Sequence, residues 1–303
     1  MNESTVSNGI QTRQNQEENV AKLVAADRLY KAVKRLNFLN FSLEVIFPFL
    51  LSFVRLFYQN HGSFFETLPC LLSIMSMLLS FRLKPAIHEK VNLAAAIKQD
   101  YDVSVYQMPW SRELFGTKRD LTKEIAENSV TGDSRRDERA GFRNWYREEA
   151  DALPLQRGIF ACQRENYAWD SGLRARYKNL CVWGSGALIA LVVLMELFRG
   201  ASAAELLWCV AFILPILKWL LDTVGDLNED LKRLEKMKSS FQSADTRSME
   251  DLQEIQKLLY EHRKNAVTPP GFLYRFFKSS DEEIARHTME MESWGKRDET
   301  DTV

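Results

Sequence analysis

Two apolar blocks, each divided by a short polar turn, constrain this chain more than any other feature. A bilayer core about 30 Å thick is crossed by about 20 mostly apolar residues in a helix. Four segments come close to that length: residues 38–58, 64–83, 180–198 and 203–221. Turns at 59–63 and 199–202 join them in pairs and are too short to hold a domain. The expected fold is mainly α: a polytopic membrane protein with four transmembrane helices in two hairpins and helical cytoplasmic regions. The alternative, core helices of a soluble protein, is opposed by length, turn chemistry and charge bias together.

The charge bias sets the orientation. Lys22, Arg28, Lys31, Lys34 and Arg35 precede the first span, and Arg82, Lys84 and Lys90 follow the second. Arg174, Arg176 and Lys178 precede the third, whereas the two turns hold only Arg199. Both termini and the central region are therefore expected in the cytoplasm. Asp222, Asp226, Glu229 and Asp230 beyond the fourth span cut against this, but acidic residues weigh little in the rule. The expected division is a cytoplasmic tail and amphipathic helix over 1–36, a first hairpin over 37–83, a central cytoplasmic region over 84–178, a second hairpin over 179–222 and a helical C-terminal region over 223–303.

Outside the spans the pattern is helical in pieces. Residues 1–13 are polar and read as disordered. Val20, Leu23, Tyr30 and Val33 mark a helix over 14–36 that leads into the first span. Pro85 allows a kink or a boundary after the second. Val103 and Val105 alternate with polar neighbours, so 100–110 reads as extended and closed by Pro109. Helices are expected over 117–129, 139–150 and 159–177, with a polar loop at 131–134. Val224, Leu227, Leu231, Leu234 and Phe241 keep a four–three spacing, and Leu252, Ile255 and Leu259 share one face of a second helix. An intramolecular antiparallel pair and one strand of an oligomeric coiled coil both fit. After Pro269 and Pro270, the aromatics over 272–278 suit either a membrane–water interface or packing on the cytoplasmic region, and Ser280 suits the cap of a last helix.

Assembled catalytic signatures are missing from the sequence. The four histidines are scattered, none of the 13 glycines builds a phosphate loop, and no nucleophile elbow appears. Cys70, Cys162, Cys181 and Cys209 form no CxxC pair and read as buried thiols. No enzyme, cofactor or metal site is expected. The net charge of −1 gives no global field toward nucleic acid.

Polar residues inside the spans carry more information, because charge in lipid is costly. Asn40, Glu44, Ser52 and Arg55 share one face of the first span, with Pro48 among them. Ser73, Ser76 and Ser80 form a stripe on the second, beside Glu66 and Pro69. A water-lined pathway and ordinary interior packing, with Arg55 paired to Glu66, both fit. Glu44 and Lys218 lie at similar depths and are expected to pair across the hairpins. Gly186 and Ala190 permit close helix contact on the third span. In the central region Arg135, Arg136, Arg139, Arg143 and Arg147 lie beside Trp145 and Tyr146. They suit either a phosphate-bearing ligand that stacks or a solvated face balanced by nearby acids. Arg164 and Arg174 are further candidate contacts for a messenger or a partner.

A series of motifs goes beyond composition: Tyr101 and Asp102, Met108 to Ser111, Trp145 and Tyr146, then Cys162 to Asn166 with Trp169, Asp170, Leu173, Arg174 and Tyr177. On these residues the chain resembles the bacterial SMODS-associating four-transmembrane effector family over nearly its whole length. The resemblance implies an effector in antiphage defence, associated with enzymes that make cyclic di- or oligonucleotide messengers and proposed to perforate the inner membrane. The spans make the lipid bilayer a partner, four helices per chain are too few for a pore so further copies are expected, and the resemblance implies a messenger acting directly or through a sensor protein. It carries over no catalytic or ligand residue. A non-conducting scaffold that recruits a cytoplasmic partner is the competing expectation. A secondary transporter is opposed by the lack of paired Gly/Pro interruptions in the spans.

Overall fold

The computed structural model describes residues 7–58, 63–130, 139–271 and 273, and every regular element among them is helical. The first crossing is one uninterrupted helix. It runs from α2 (Glu17–Phe41) through a π-helical turn (Ser42–Ile46) into α3 (Phe47–Tyr58). Pro48 accounts for the π-turn: its ring crowds the carbonyl of Glu44 four residues earlier, and a locally wider helix relieves that clash. The second crossing, α4 (Ser63–Ser80), ends at a turn over residues 81 and 82. Then α5 (Leu83–Tyr106) begins, with Pro85 in its first turn, where a missing N–H costs nothing.

The later crossings are longer still. After the short helices α6 (Arg112–Phe115) and α7 (Thr122–Ser129), α8 (Leu155–Phe198) holds 44 residues and α9 (Ala203–Ser243) holds 41. At about 1.5 Å per residue α8 is about 66 Å long, twice what a bilayer core needs. Gly200, in the left-handed region at φ 73°, turns the chain between them. Ser202 and Glu205 then cap α9 reciprocally, side chain to backbone in both directions.

Among the described residues four helices are long and apolar enough to cross a membrane, so the chain is a multi-pass membrane protein. In the bundle α3 lies against α4, α8 lies against α9, and α9 touches both α3 and α4. Val45, Cys181, Ile216 and Trp219 fill one layer, with the Phe41 ring edge-on to Trp219 at 5.0 Å. Leu50, Leu71, Met75, Trp183 and Leu207 point outward, as lipid-facing side chains do.

The extramembrane ends of these helices build a second packed region. Ala25, Ala26 and Leu29 of α2 meet Ala94, Ala96 and Ile97 of α5, small side chains that let the axes approach. The helix α10 (Met249–Asn265), capped by Ser248, lays Ile255 and Leu259 on Met237 of α9. The intramolecular helical pair is the arrangement formed. The short α1 (Ile10–Gln14) buries Ile10 in the main apolar cluster with Tyr101, Tyr106, Tyr146 and Cys162.

Several local expectations are corrected. Residues 100–106 are helical, because Tyr101, Asp102, Val103, Val105 and Tyr106 are all buried and a helix covered on every side loses its amphipathic period. The helix closes at Gln107, left-handed at φ 53°. The stretch 139–150 is helical only at residues 139 and 140; 141–147 are turn and irregular, ending in a 3-10 turn at Glu148–Ala150. Asn144 is left-handed there (φ 53°), and Tyr146 N–H is held by Gln14 Oε1 at 2.7 Å. Residues 7–13 are not a loose tail: Ser7 donates to Asp151 at 2.5 Å, and Asn8 donates to the Ala150 and Leu153 carbonyls at 2.7 and 2.9 Å. The helix expected over 117–129 starts only at Thr122, and that expected over 159–177 merges with the third span. Gly186 and Ala190 face away from the bundle, so their expected helix contact is not made within the chain. The loop at 131–134, Arg135, Arg136, the aromatic patch and Ser280 lie outside the described residues, except Leu273, which is buried.

Candidate functional site

Polar side chains in the crossings gather on the inside of the bundle. Glu44, in the π-turn, is fully buried and accepts from Lys218 Nζ, Ser80 Oγ (2.5 Å) and Asn40 Nδ2 (3.1 Å). Lys218 also reaches Asp222 at 3.1 Å, and Asp222 accepts from Lys84 at 2.5 Å. The order Glu44, Lys218, Asp222, Lys84 alternates in sign and sums to zero. The Lys218 ammonium also lies 4.4 Å from the Phe81 ring, a cation–π contact.

The polar line continues along the bundle axis. Ser76 donates to the Leu43 and Ser73 carbonyls, both at 2.8 Å, and Ser73 donates to the Ala211 carbonyl at 2.6 Å. Ser52 bonds back to Phe49 O at 2.6 Å. At the far end Arg55 pairs with Glu196 at 2.8 Å, both side chains at most 5% exposed, and Arg199 adds a second contact to Glu196 at 3.4 Å. Glu44 and Arg55 are separated by about 16 Å of helix, so the column runs through about half the apolar thickness.

The expected partner of Arg55 was Glu66, but the carboxylate it meets is Glu196, on the third crossing. The Glu66 side chain lies outside the described ones. One signal for Glu196 was present in the sequence. It stands two residues before the end of its span, and Arg55 stands three before the end of the first, so the two share a depth.

A second polar cluster is buried in the extramembrane region. Asp102 accepts from Tyr146 Oη (2.7 Å), Gln256 Nε2 (3.0 Å) and Arg263 Nη1 (2.5 Å). Tyr146 Oη in turn accepts from Tyr106 Oη at 2.8 Å and Asn166 Nδ2 at 3.0 Å. Burial, and then the neighbouring charges and hydroxyls, push the Tyr106 and Tyr146 hydroxyls well above their ordinary range, so both stay protonated. Burial alone would lower Arg263, but Asp102 outweighs it and keeps the guanidinium charged. The cluster ties α5, the 139–150 segment, α8 and α10 at one point.

The five candidate contacts outside the spans do not form one site. Arg174 is buried against Asp230 at 3.0 Å, and Asp230 also accepts from Arg233 (2.5 Å) and the Val267 N–H (2.8 Å). That guanidinium is committed to joining α8, α9 and the chain after α10. Arg164 is half-buried, and desolvation lowers its pKa. Arg139 and Arg143 do come together at the start of α2, whereas Trp145 lies against Phe142 and Lys98. Arg143 bonds Glu17 and the Asn15 carbonyl (3.0 Å), Arg139 stands 3.5 Å from Glu17, and Trp145 stacks on Phe142 at 6.1 Å. The four cysteines are free and buried, and among the described residues no three metal-ligating side chains converge.

This arrangement defines a multi-pass helical membrane protein with an ion-paired polar column and a packed extramembrane region. The chain belongs to the SMODS-associating 4TM effector domain family, whose model matches residues 8–291. No curated protein and no solved structure matches it. The family makes it a membrane effector linked to cyclic-oligonucleotide signalling in defence.

Proposed function

We propose that the protein permeabilises the bacterial inner membrane when a cyclic di- or oligonucleotide signal activates it, and that the packing described above is the closed state. The carrying observation is the column from Lys84 to Glu196, exposed at Lys84 and Asp222 but buried at Glu44, Arg55 and Glu196, where apolar side chains would serve packing at no loss of stability. In a lipid-facing bundle such groups mark a path for ions. In the closed state each charge is matched by its neighbour, and no continuous water file is needed. Opening parts the helices along the column and exchanges internal ion pairs for hydration. One bundle of four helices encloses little space, so several copies must pool their opened polar faces. In this reading the crossings form two hairpins bounded as expected, with both termini and the central region cytoplasmic.

The test is ion release from proteoliposomes holding the oriented protein, challenged with a panel of cyclic nucleotides. Release with at least one messenger is expected. Silence under every messenger, with insertion verified, removes the pore.

One observation favours a second reading, a non-conducting anchor. Ser73, Ser76 and Ser80 all bond within the bundle, as helix-packing serines do. An anchor tolerates Ser73→Ala and Ser76→Ala with unchanged toxicity, whereas a pore changes its conductance.

A further inference from the structure

Glu17 opens α2, and its two carboxylate oxygens engage two different guanidinium groups, those of Arg143 and Arg139. One acid bridged by two arginines is the arrangement a phosphate makes, with more charge and a third oxygen. The arginines are held by more than Glu17. Arg143 also donates to the Asn15 carbonyl at 3.0 Å, and Arg139 to the Ser129 carbonyl at 3.4 Å. Both therefore keep an anchor when the carboxylate leaves. The side chains are 34%, 43% and 64% exposed for Arg139, Arg143 and Glu17, so solvent reaches the fork and the pairs holding it closed are weak.

We propose that Arg139 and Arg143 form a phosphate-binding site which Glu17 occupies in the resting chain as a built-in competitor. The ligand is a soluble phosphate ester. Lipid headgroups are out of reach, because Glu17 lies about 30 Å along the helix from the start of the first apolar span. The ring pair Phe142 and Trp145 borders the fork in sequence, and the Lys98 ammonium sits 4.5 Å from the Trp145 ring. A planar base and a further phosphate both suit these neighbours, which favours a nucleotide over free phosphate. The inference rests on the reading that a soluble messenger activates the protein, and it names how: displacing Glu17 frees the first turn of the helix that becomes the first crossing.

The test is calorimetric binding to the full chain in detergent, with cyclic di-AMP and inorganic phosphate as probes. Glu17→Gln removes the competitor and is expected to tighten binding roughly fivefold. Arg139→Gln and Arg143→Gln are each expected to weaken it about tenfold or more. Tighter binding of cyclic di-AMP assigns the fork to nucleotides, and equal binding assigns it to phosphate itself. The site is overturned if neither probe binds, if Glu17→Gln changes nothing, or if the arginine variants bind like the parent. Glu17→Gln is a solvent-facing change, so misfolding does not confound it. Binding without membrane leakage would sink the pore and leave this site standing. Messenger-driven leakage with all variants equal would do the reverse.

Discussion

Glu44 and Lys218, 174 residues apart in the chain, form a buried ion pair between the π-turn of the first crossing and the middle of α9. Removing Lys218 leaves Glu44 charged and shielded from water, and removing Glu44 leaves Lys218 with Asp222 as its one acid. Glu44→Gln and Lys218→Met are each expected to cost about 3 kcal/mol of bundle stability, and the double variant less than the sum. Unfolding in detergent, run as a double-mutant cycle, measures the coupling. Additive losses would mean that the pair contributes nothing as a pair.

Asp102 is the acceptor on which the extramembrane cluster depends. Asp102→Asn strands the buried Arg263 guanidinium and is expected to destabilise by about 3 kcal/mol or more. Tyr146→Phe removes a hydroxyl but no charge, so its expected cost is smaller, about 1–2 kcal/mol. Thermal unfolding of the two variants side by side checks the order, and the reverse order would move the node away from Asp102.

Gly158 lies where three segments meet. A Cβ there would stand 2.5 Å from Asn8 Nδ2 and 2.6 Å from the Ala150 carbonyl. The carbonyl belongs to the backbone and cannot swing aside. Gly158→Ala is expected to cost about 1–3 kcal/mol and to release residues 7–14 from the 146–153 segment. Faster proteolysis within 7–14, compared with the parent, is the readout.

Asp151 ties down the same N-terminal segment. Its partial burial acts to raise its pKa, but hydrogen bonds from Ser7 and from the Gln11 N–H, with the Gly9 and Ile10 N–H groups close by, outweigh that and hold it below the ordinary range. A depressed folded pKa contributes stability above the unfolded value of about 4 and loses it as pH falls through the folded value. Amide exchange over residues 8–12 is therefore expected to be independent of pH from 5 to 8, once corrected for the intrinsic rate, and to lose protection below about pH 4. Asp151→Asn should show weaker protection and no acid step.

The four crossings were legible because lipid demands apolar length, and the Glu44–Lys218 contact because costly charges at equal depth seek each other. Elsewhere local pattern misled. Val103 and Val105 alternate with Asp102 and Ser104 as a half-exposed strand would, yet Asp102 is buried and its partner Arg263 is 161 residues away, with no local signal to announce it. The turns within 139–150 looked helical because their composition permits a helix, but Gln14, far along the chain, decides the backbone at Tyr146. Glu196 is one acid near a span end, and only its depth, matched to that of Arg55 across the hairpins, signals the pair. Arg174 stands in the motif before the third span and is a candidate contact by sequence, but it is buried against Asp230, 56 residues away.

Among the described crossings, three pass from lipid into water with no non-helical residue, and only the second is broken, at Phe81 and Arg82. A rod of hydrogen-bonded turns tilts more easily than it bends. For a rod about 66 Å long, a tilt of about 5° carries the far tip by about 6 Å. Small rearrangements at the water-side tips thus arrive among the acyl chains as displacements wider than an ion. The second crossing, jointed at Phe81 and Arg82, is uncoupled from such a tilt of the unbroken α8.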